Sequence, residues 1–256
     1  MELGLTGRKA LVFGSSAGLG RAVAAALVAE GAAVVVTSRD PDRAASTASD
    51  LGAVGSVTVD LTVAGEGARA VADAAALLGG LDICVVNTGG GKPGPILATD
   101  GADDAAYASM LRPVLEISRA AAPFVTNPER PGRLVYMTAR SMVEATPELA
   151  LSSVFRSGVN ALARSLALEL APGATVNVVV TGQFDTGALS RFEAARAEHE
   201  GRTTAEVRAD HVAAIPAGRV GRAEELADVV AFLCSDRASF VNGTAIRVDG
   251  GAVKGF

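Results

Sequence analysis

Val12-Phe13-Gly14-Ser15-Ser16-Ala17-Gly18-Leu19-Gly20-Arg21 joins an apolar run, Ala10 to Phe13, to a long helical pattern through a glycine-rich turn. The stretch reads as a nucleotide cradle. Gly14 ends the strand in a tight turn, Gly18 lets a phosphate approach the backbone, and Gly20 lets the new helix pack closely on the sheet. The free N–H groups and dipole of that helix end favour an anion. The spacing Gly-x-x-x-Gly-x-Gly is one residue longer in its first gap than the common dinucleotide fingerprint. A bland loop rich in small residues is the competing reading.

Working outward, strands rich in β-branched residues alternate with alanine-rich helical patterns along the whole length, the signature of βαβ units around a parallel sheet. Lys9 to Phe13 is the first strand and Arg21 to Glu30 the first helix, stopped by Gly31. Ala33 to Thr37, Val54 to Val59, Leu81 to Val86 and Thr175 to Val180 read as further strands. The second ends in Thr37-Ser38-Arg39. No carboxylate stands there to repel a 2′-phosphate and an arginine is present to hold one, so NADP(H) is favoured over NAD(H). A solvated surface arginine is the plain alternative. Asp60-Leu61 ends the third strand where a purine edge can bind, though Asp60 is also placed to cap a helix. Asn87-Thr88-Gly89-Gly90-Gly91 follows the fourth and suits close approach to a flat ligand, with ordinary turn chemistry as the alternative.

At 256 residues the chain fits one domain, residues 1–256, with no linker or low-complexity segment. A formal charge of −5 without a basic run argues against nucleic acid or an anionic membrane as partner. No apolar run approaches the length of a membrane span and no secretory leader is evident, which points to the cytoplasm. Cys84 and Cys234 sit in apolar runs without metal-ligand spacing and are expected to be buried thiols; no metal site is expected.

In combination, Gly14-x-x-x-Gly18-x-Gly20, Asp60, Asn87-Thr88-Gly89-Gly90, Leu168-Glu169-Leu170-Ala171-Pro172, Thr181-Gly182 and Val248-Asp249-Gly250-Gly251 resemble the short-chain dehydrogenase/reductase family. The likeness is to its 3-oxoacyl-carrier-protein reductase-like branch and covers essentially the full chain. It implies a Rossmann-type, doubly wound, seven-stranded parallel sheet and a homo-oligomer, tetramer or dimer. It also implies a cofactor set: Gly14, Ser15, Ser16, Gly18, Leu19 and Gly20 in the first turn, Ser38 and Arg39 after the second strand, Asp60 and Leu61 after the third. Asn87, Thr88 and Gly89 after the fourth strand, Arg156, and Thr181, Gly182 and Thr186 after the sixth complete it.

The same resemblance exposes a break. Counted from the retained motifs, the family's tyrosine falls on Ser152, its lysine on Arg156, its serine on Ala139 and its asparagine on Met110. A serine hydroxyl is a far weaker acid than a tuned phenol and stops a whole ring short. Arg156 keeps the charge but cannot join a proton wire, because guanidinium is effectively never deprotonated. Ala139 and Met110 offer no polar side chain. Pro113, inside the helical run Ala102 to Ala122, removes the N–H that would bond Ser109 and should kink the helix beside Met110.

Ser152 and Arg156 share one helical face and Ser141 lies two residues beyond Ala139; an arginine with two hydroxyls makes a carboxylate or carbonyl clamp and a poor base. These three are the catalytic candidates, with Arg156 polarising a carbonyl and Ser141 or water completing a proton relay; a merely capping and packing role for Ser152 and Arg156 is the alternative. Residues 183–215 are expected to form a substrate lid, with Thr186 touching the nicotinamide amide as in the family, His199 in solvent and His211 able to turn inward. The function expected is redox chemistry on a carbonyl or hydroxyl of a small organic or acyl substrate. A non-redox enzyme on the same frame (isomerase, dehydratase or decarboxylase) and a non-catalytic subunit or cofactor sensor are its rivals.

Overall fold

The computed structural model describes residues 2–254. Seven strands, β1 (Lys9–Val12), β2 (Ala33–Ser38), β3 (Gly55–Thr58), β4 (Ile83–Asn87), β5 (Gly132–Ala139), β6 (Ala174–Thr181) and β7 (Ala245–Val248), form one sheet in the order β3-β2-β1-β4-β5-β6-β7. Every pairing is parallel, with Ala10 facing Val34 on one side and Ile83 on the other. The seven-stranded doubly wound architecture expected from the sequence is therefore present. The order turns back between β1 and β4, and at such a switch point the carboxyl ends of the strands open a crevice for a ligand.

Burial on both faces explains the near-continuous apolar strands. Because side chains alternate, Leu11, Val35, Cys84, Leu134 and Val176 face one core, packed by helices α3 (Glu66–Leu78), α5 (Arg112–Val125) and α6 (Ala150–Glu169). Ala10, Val12, Val34, Val36, Val85 and Val135 face the other, covered by α1 (Gly18–Ala29) and α9 (Ala223–Cys234). Helix α2 (Pro41–Leu51) packs beside β2 and β3, while α4 (Asp103–Met110), α7 (Gly187–Glu200) and α8 (Thr204–Ala213) lie near the carboxyl ends. Cys84 and Cys234 are buried, and burial raises both thiol pKa values.

The run from Ala102 to Ala122 is two helices, not one. It breaks at Leu111, with Pro113 in the first turn of α5, where its missing N–H costs nothing. This is the kink that Pro113 predicts. The third strand is shorter than read, Gly55–Thr58, because Val54 and Val59 make only flanking hydrogen bonds to Val34 and Ser38. No helix among the described residues is long and apolar enough to cross a membrane.

Candidate functional site

Close backbone contact at the end of β1 dictates the glycines. A Cβ on Gly20 would stand 2.2 Å from the carbonyl oxygen of Gly14, and one on Gly14 would stand 2.7 Å from that of Asn87. Gly14 also has φ +62°, which disfavours any side chain. The turn is held from both sides. The Thr37 hydroxyl accepts from Gly14 N at 2.9 Å, and Asn87 Nδ2 donates to Gly14 O at 3.3 Å. Ser15 is fully buried, its hydroxyl donating to Val12 O at 2.7 Å and accepting from Thr37 N at 2.8 Å. Its side chain thus ties β1 to β2 instead of facing the crevice.

Above this turn lies a cleft of about 910 Å³. Of the predicted cofactor residues, Gly14, Ser16, Ser38, Arg39, Asp60, Leu61, Asn87, Thr88 and Gly89 line it. Ser15, Gly18, Leu19, Gly20, Arg156, Thr181, Gly182 and Thr186 do not; Leu19 is partly buried against the core. Of these outliers, Arg156 bonds the lining residues Thr88 and Gly89. Thr186 packs on Gly18, where a Cβ would be 3.7 Å away, and caps α7 by accepting from Leu189 N at 3.4 Å. Thr181 donates to Thr138 O at 2.8 Å, and Gly182 is pressed against Asp249.

The cleft also holds residues the sequence reading passed over: Asp40, Arg43, Thr62, Ser109 and Arg191 among them. Arg43 was detectable, since it stands four after Arg39 at the start of a helix. Arg191 was not, because only the fold brings α7 across the glycine turn. The two acids here are occupied. Asp40 caps α2 by accepting from Arg43 N at 3.0 Å, and Asp60 accepts from Thr62 N and its hydroxyl at 2.9 and 2.7 Å. Those hydrogen bonds from Thr62, with a smaller push from the Arg39 charge, hold the Asp60 carboxyl below the usual carboxylate range. By contrast the Arg39, Arg43 and Arg191 guanidinium groups have no hydrogen bond or ion pair within the described residues, which suits a ligand carrying several phosphates.

The neighbouring corner, between β4, β5 and α6, has a different chemistry. Ser141, in the short turn after β5, and Ser152, in the first turn of α6, place their hydroxyls 2.9 Å apart. Arg156 is buried one turn on. Its Nη2 donates to Gly89 O at 2.8 Å, and its Nη1 to Thr88 Oγ1 at 3.2 Å and Met137 O at 3.4 Å, while Nε has no partner. No carboxylate among the described residues pairs with it, and loss of water around it pushes its pKa down to about 10. Ala139 ends β5, and Met110 is fully buried with Ala106 and Leu151. Neither tyrosine stands in for a phenol here. Tyr136 is buried in the core 2.6 Å from the Ser118 hydroxyl, and burial raises its pKa despite a smaller lowering by that hydrogen bond; Tyr107 leans on Phe155 at 6.2 Å between ring centres.

In the α7–α8 hairpin, His199 is exposed, as read from the sequence. His211 does turn inward, but toward Glu193, with Nδ1 3.0 Å from Oε1 and its ring stacked on Phe192. No group of three or more His, Cys, Asp or Glu side chains suited to a metal occurs among the described residues.

The geometry fits a dinucleotide: a cradle that any Cβ would fill, a cleft beyond it, and uncommitted cations along its wall. Comparison with known proteins agrees. Residues 14–253 match the family described as Enoyl-(Acyl carrier protein) reductase. The chain is 32% identical over 248 residues to the 3-oxoacyl-(acyl-carrier-protein) reductase of Salmonella typhimurium, covering 96% of this chain and 97% of that one. It is 30% identical to the sorbitol dehydrogenase of Cereibacter sphaeroides over 96% of this chain and 98% of the relative. Among solved structures, the L-sorbose reductase of Gluconobacter frateurii, complexed with NADPH and L-sorbose, superposes with a TM-score of 0.91 at 28% identity, each chain fully covered. On fold, site and relatives together, this chain belongs to the short-chain dehydrogenase/reductase family and is similar to its 3-oxoacyl-carrier-protein reductases.

Proposed function

We propose that the protein binds NADP(H) in preference to NAD(H) and carries out carbonyl or alcohol redox chemistry on a small organic or acyl substrate, without the family's usual Ser-Tyr-Lys residues. The observation that carries the cofactor half is the pair of uncommitted guanidinium groups, Arg39 and Arg43, after β2, where an NAD-preferring site places a carboxylate. A bound nicotinamide would supply or accept the hydride. The chain's own part is then to hold and orient. Ser141 and Ser152 are a coupled hydroxyl pair able to donate to a substrate oxygen, with Ser141 or water moving the proton. Arg156 holds the Thr88 hydroxyl and the Gly89 carbonyl of the segment that walls the cleft and adds a positive charge beside it. The 183–215 segment serves as the lid. The same reading makes the protein cytoplasmic and homo-oligomeric, with its mass in solution readable by light scattering.

The test is calorimetric titration with NADPH and NADH, followed by a carbonyl panel with both. Tighter NADPH binding and substrate-dependent oxidation are expected; undiminished turnover in Arg156→Ala would remove Arg156 from the scheme. One observation favours a second reading. Arg156 spends its donors on Thr88, Gly89 and Met137, and neither tyrosine faces the site. That arrangement also serves a non-redox enzyme or a cofactor-sensing subunit, and NADPH binding with no oxidation across the panel would select it.

A further inference from the structure

Arg191 is placed oddly for a surface arginine. It belongs to α7, yet it lines the cleft together with Ser16 and Ala17 of the glycine turn. Its Nη1 lies 3.4 Å from where a Cβ on Gly187 would sit, so the guanidinium folds back over the first turn of its own helix. That end carries the positive pole of the helix dipole, where a cation is disfavoured unless an anion joins it. Arg196, the other arginine of α7, is bonded to Glu200 at 2.6 Å, whereas Arg191 has no partner within the described residues. The residue before α7, Thr186, packs on Gly18. The unpaired charge therefore lines the same cleft as the glycine turn and Arg39.

Resting on the NADP(H) reading above, we infer that Arg191 is a ligand for the dinucleotide pyrophosphate and ties the α7–α8 hairpin to cofactor occupancy. The hairpin is built to respond as a unit. Glu193, buried two residues further on, accepts from Arg208 at 3.0 Å and pairs with His211, and Arg208 also donates to Asp185 at 2.7 Å, just before the helix. A pull on Arg191 is thus transmitted to α8 and to the strand end that feeds α7.

The experiment compares the full chain with Arg191→Ala and Arg191→Lys, titrated with NADPH, 2′-phospho-ADP-ribose and adenosine 2′-monophosphate. Only the first two contain a pyrophosphate. Arg191→Ala should weaken both about tenfold or more, as expected for a charge-assisted hydrogen bond, and Arg191→Lys should recover part of the loss. Adenosine 2′-monophosphate should bind within about twofold of wild type, since its phosphate belongs to Arg39 and Arg43. Hydrogen exchange in α7 and α8 should slow when 2′-phospho-ADP-ribose binds the wild type, and fail to slow in Arg191→Ala. An unchanged NADPH affinity in Arg191→Ala, or an equal loss for adenosine 2′-monophosphate, overturns the assignment while leaving the cofactor reading intact. Failure of the wild type to bind any of the three overturns both.

Discussion

At the end of the sheet where strands begin, Arg8 and Arg133 are buried and bonded to protein carbonyls; at the end where strands finish, Arg39, Arg43 and Arg191 are exposed and uncommitted within the described residues. Arg8 donates to Pro131 O at 2.9 Å. Arg133 donates to Pro131 O at 2.6 Å and to Ser235 O at 3.0 and 3.2 Å, with Asp236 3.7 Å from both arginines. These two staple loop carbonyls under the sheet, and burial lowers both their pKa values. Arg156 shares features of both groups. It is buried and bonded to backbone like the lower pair, yet it lies beside the cleft and has no carboxylate partner among the described residues. The difference teaches where stability and binding have been separated: charge below is satisfied by protein, and charge above awaits a ligand.

The largest expected effect breaks the lower group. Arg133→Ala removes the hydrogen bonds to the Ser235, Pro131 and Gly132 carbonyls and empties a buried space, and should cost about 3 kcal/mol or more of folding stability even though Arg8 still reaches Pro131 O and Ala238 N still reaches Ser235 O. Thermal unfolding would register this as a fall of roughly 6 to 12 °C; a shift under 2 °C would mean that water replaces the guanidinium. Arg156→Met should cost less, about 1 kcal/mol, because the lost hydrogen bonds are partly offset by removing an unpaired buried charge. Its main effect should be on the cleft, with NADPH affinity falling about tenfold as the Thr88–Gly89 wall loosens. Equal stability losses in the two variants would erase the distinction drawn between them.

The sequence revealed these regions unequally, for physical reasons. The glycine turn and most strands were legible because backbone crowding at Gly14 and Gly20 admits no side chain, and because near-continuous β-branched runs mark strands buried on both faces. The break at Leu111 followed from Pro113 alone. Arg191 was invisible, since its importance comes from a helix laid across a strand end far away in sequence. Ser15 misled for a related reason: a hydroxyl in a phosphate-type loop looks like a ligand, whereas this one is consumed by Val12 and Thr37. Position along a motif states what can reach a site; competing internal partners decide what does.

The upper group is sharpened by Arg39→Asp. Replacing a cation with a carboxylate beside the 2′-phosphate should weaken NADPH by about tenfold to a hundredfold. NADH should change by no more than about threefold, and the melting temperature of the free protein should hold, since Arg39 is exposed and has no hydrogen bond or ion pair among the described residues. Equal losses for both cofactors would show that Arg39 serves the adenosine or nothing at all.

The smallest effect expected is no effect, and it tests the reaction corner most directly. A site run by a tuned phenol or histidine changes rate about tenfold per pH unit on one side of its pKa. Here the groups near the hydroxyl pair do not titrate in the neutral range. Serine hydroxyls stay protonated, and Arg156, although lowered to about 10, remains a cation throughout. Its folded pKa lies below its ordinary value, so the burial cost of its charge is constant below pH 10 and is relieved only as pH rises beyond that. His211 faces Glu193 rather than the cleft. Substrate turnover should therefore vary by less than about twofold between pH 7 and 9, above the range where a 2′-phosphate itself titrates. A steep limb inside that window would reveal an acid or base that the fold keeps elsewhere, and would return the reaction corner to the chemistry usual in this family.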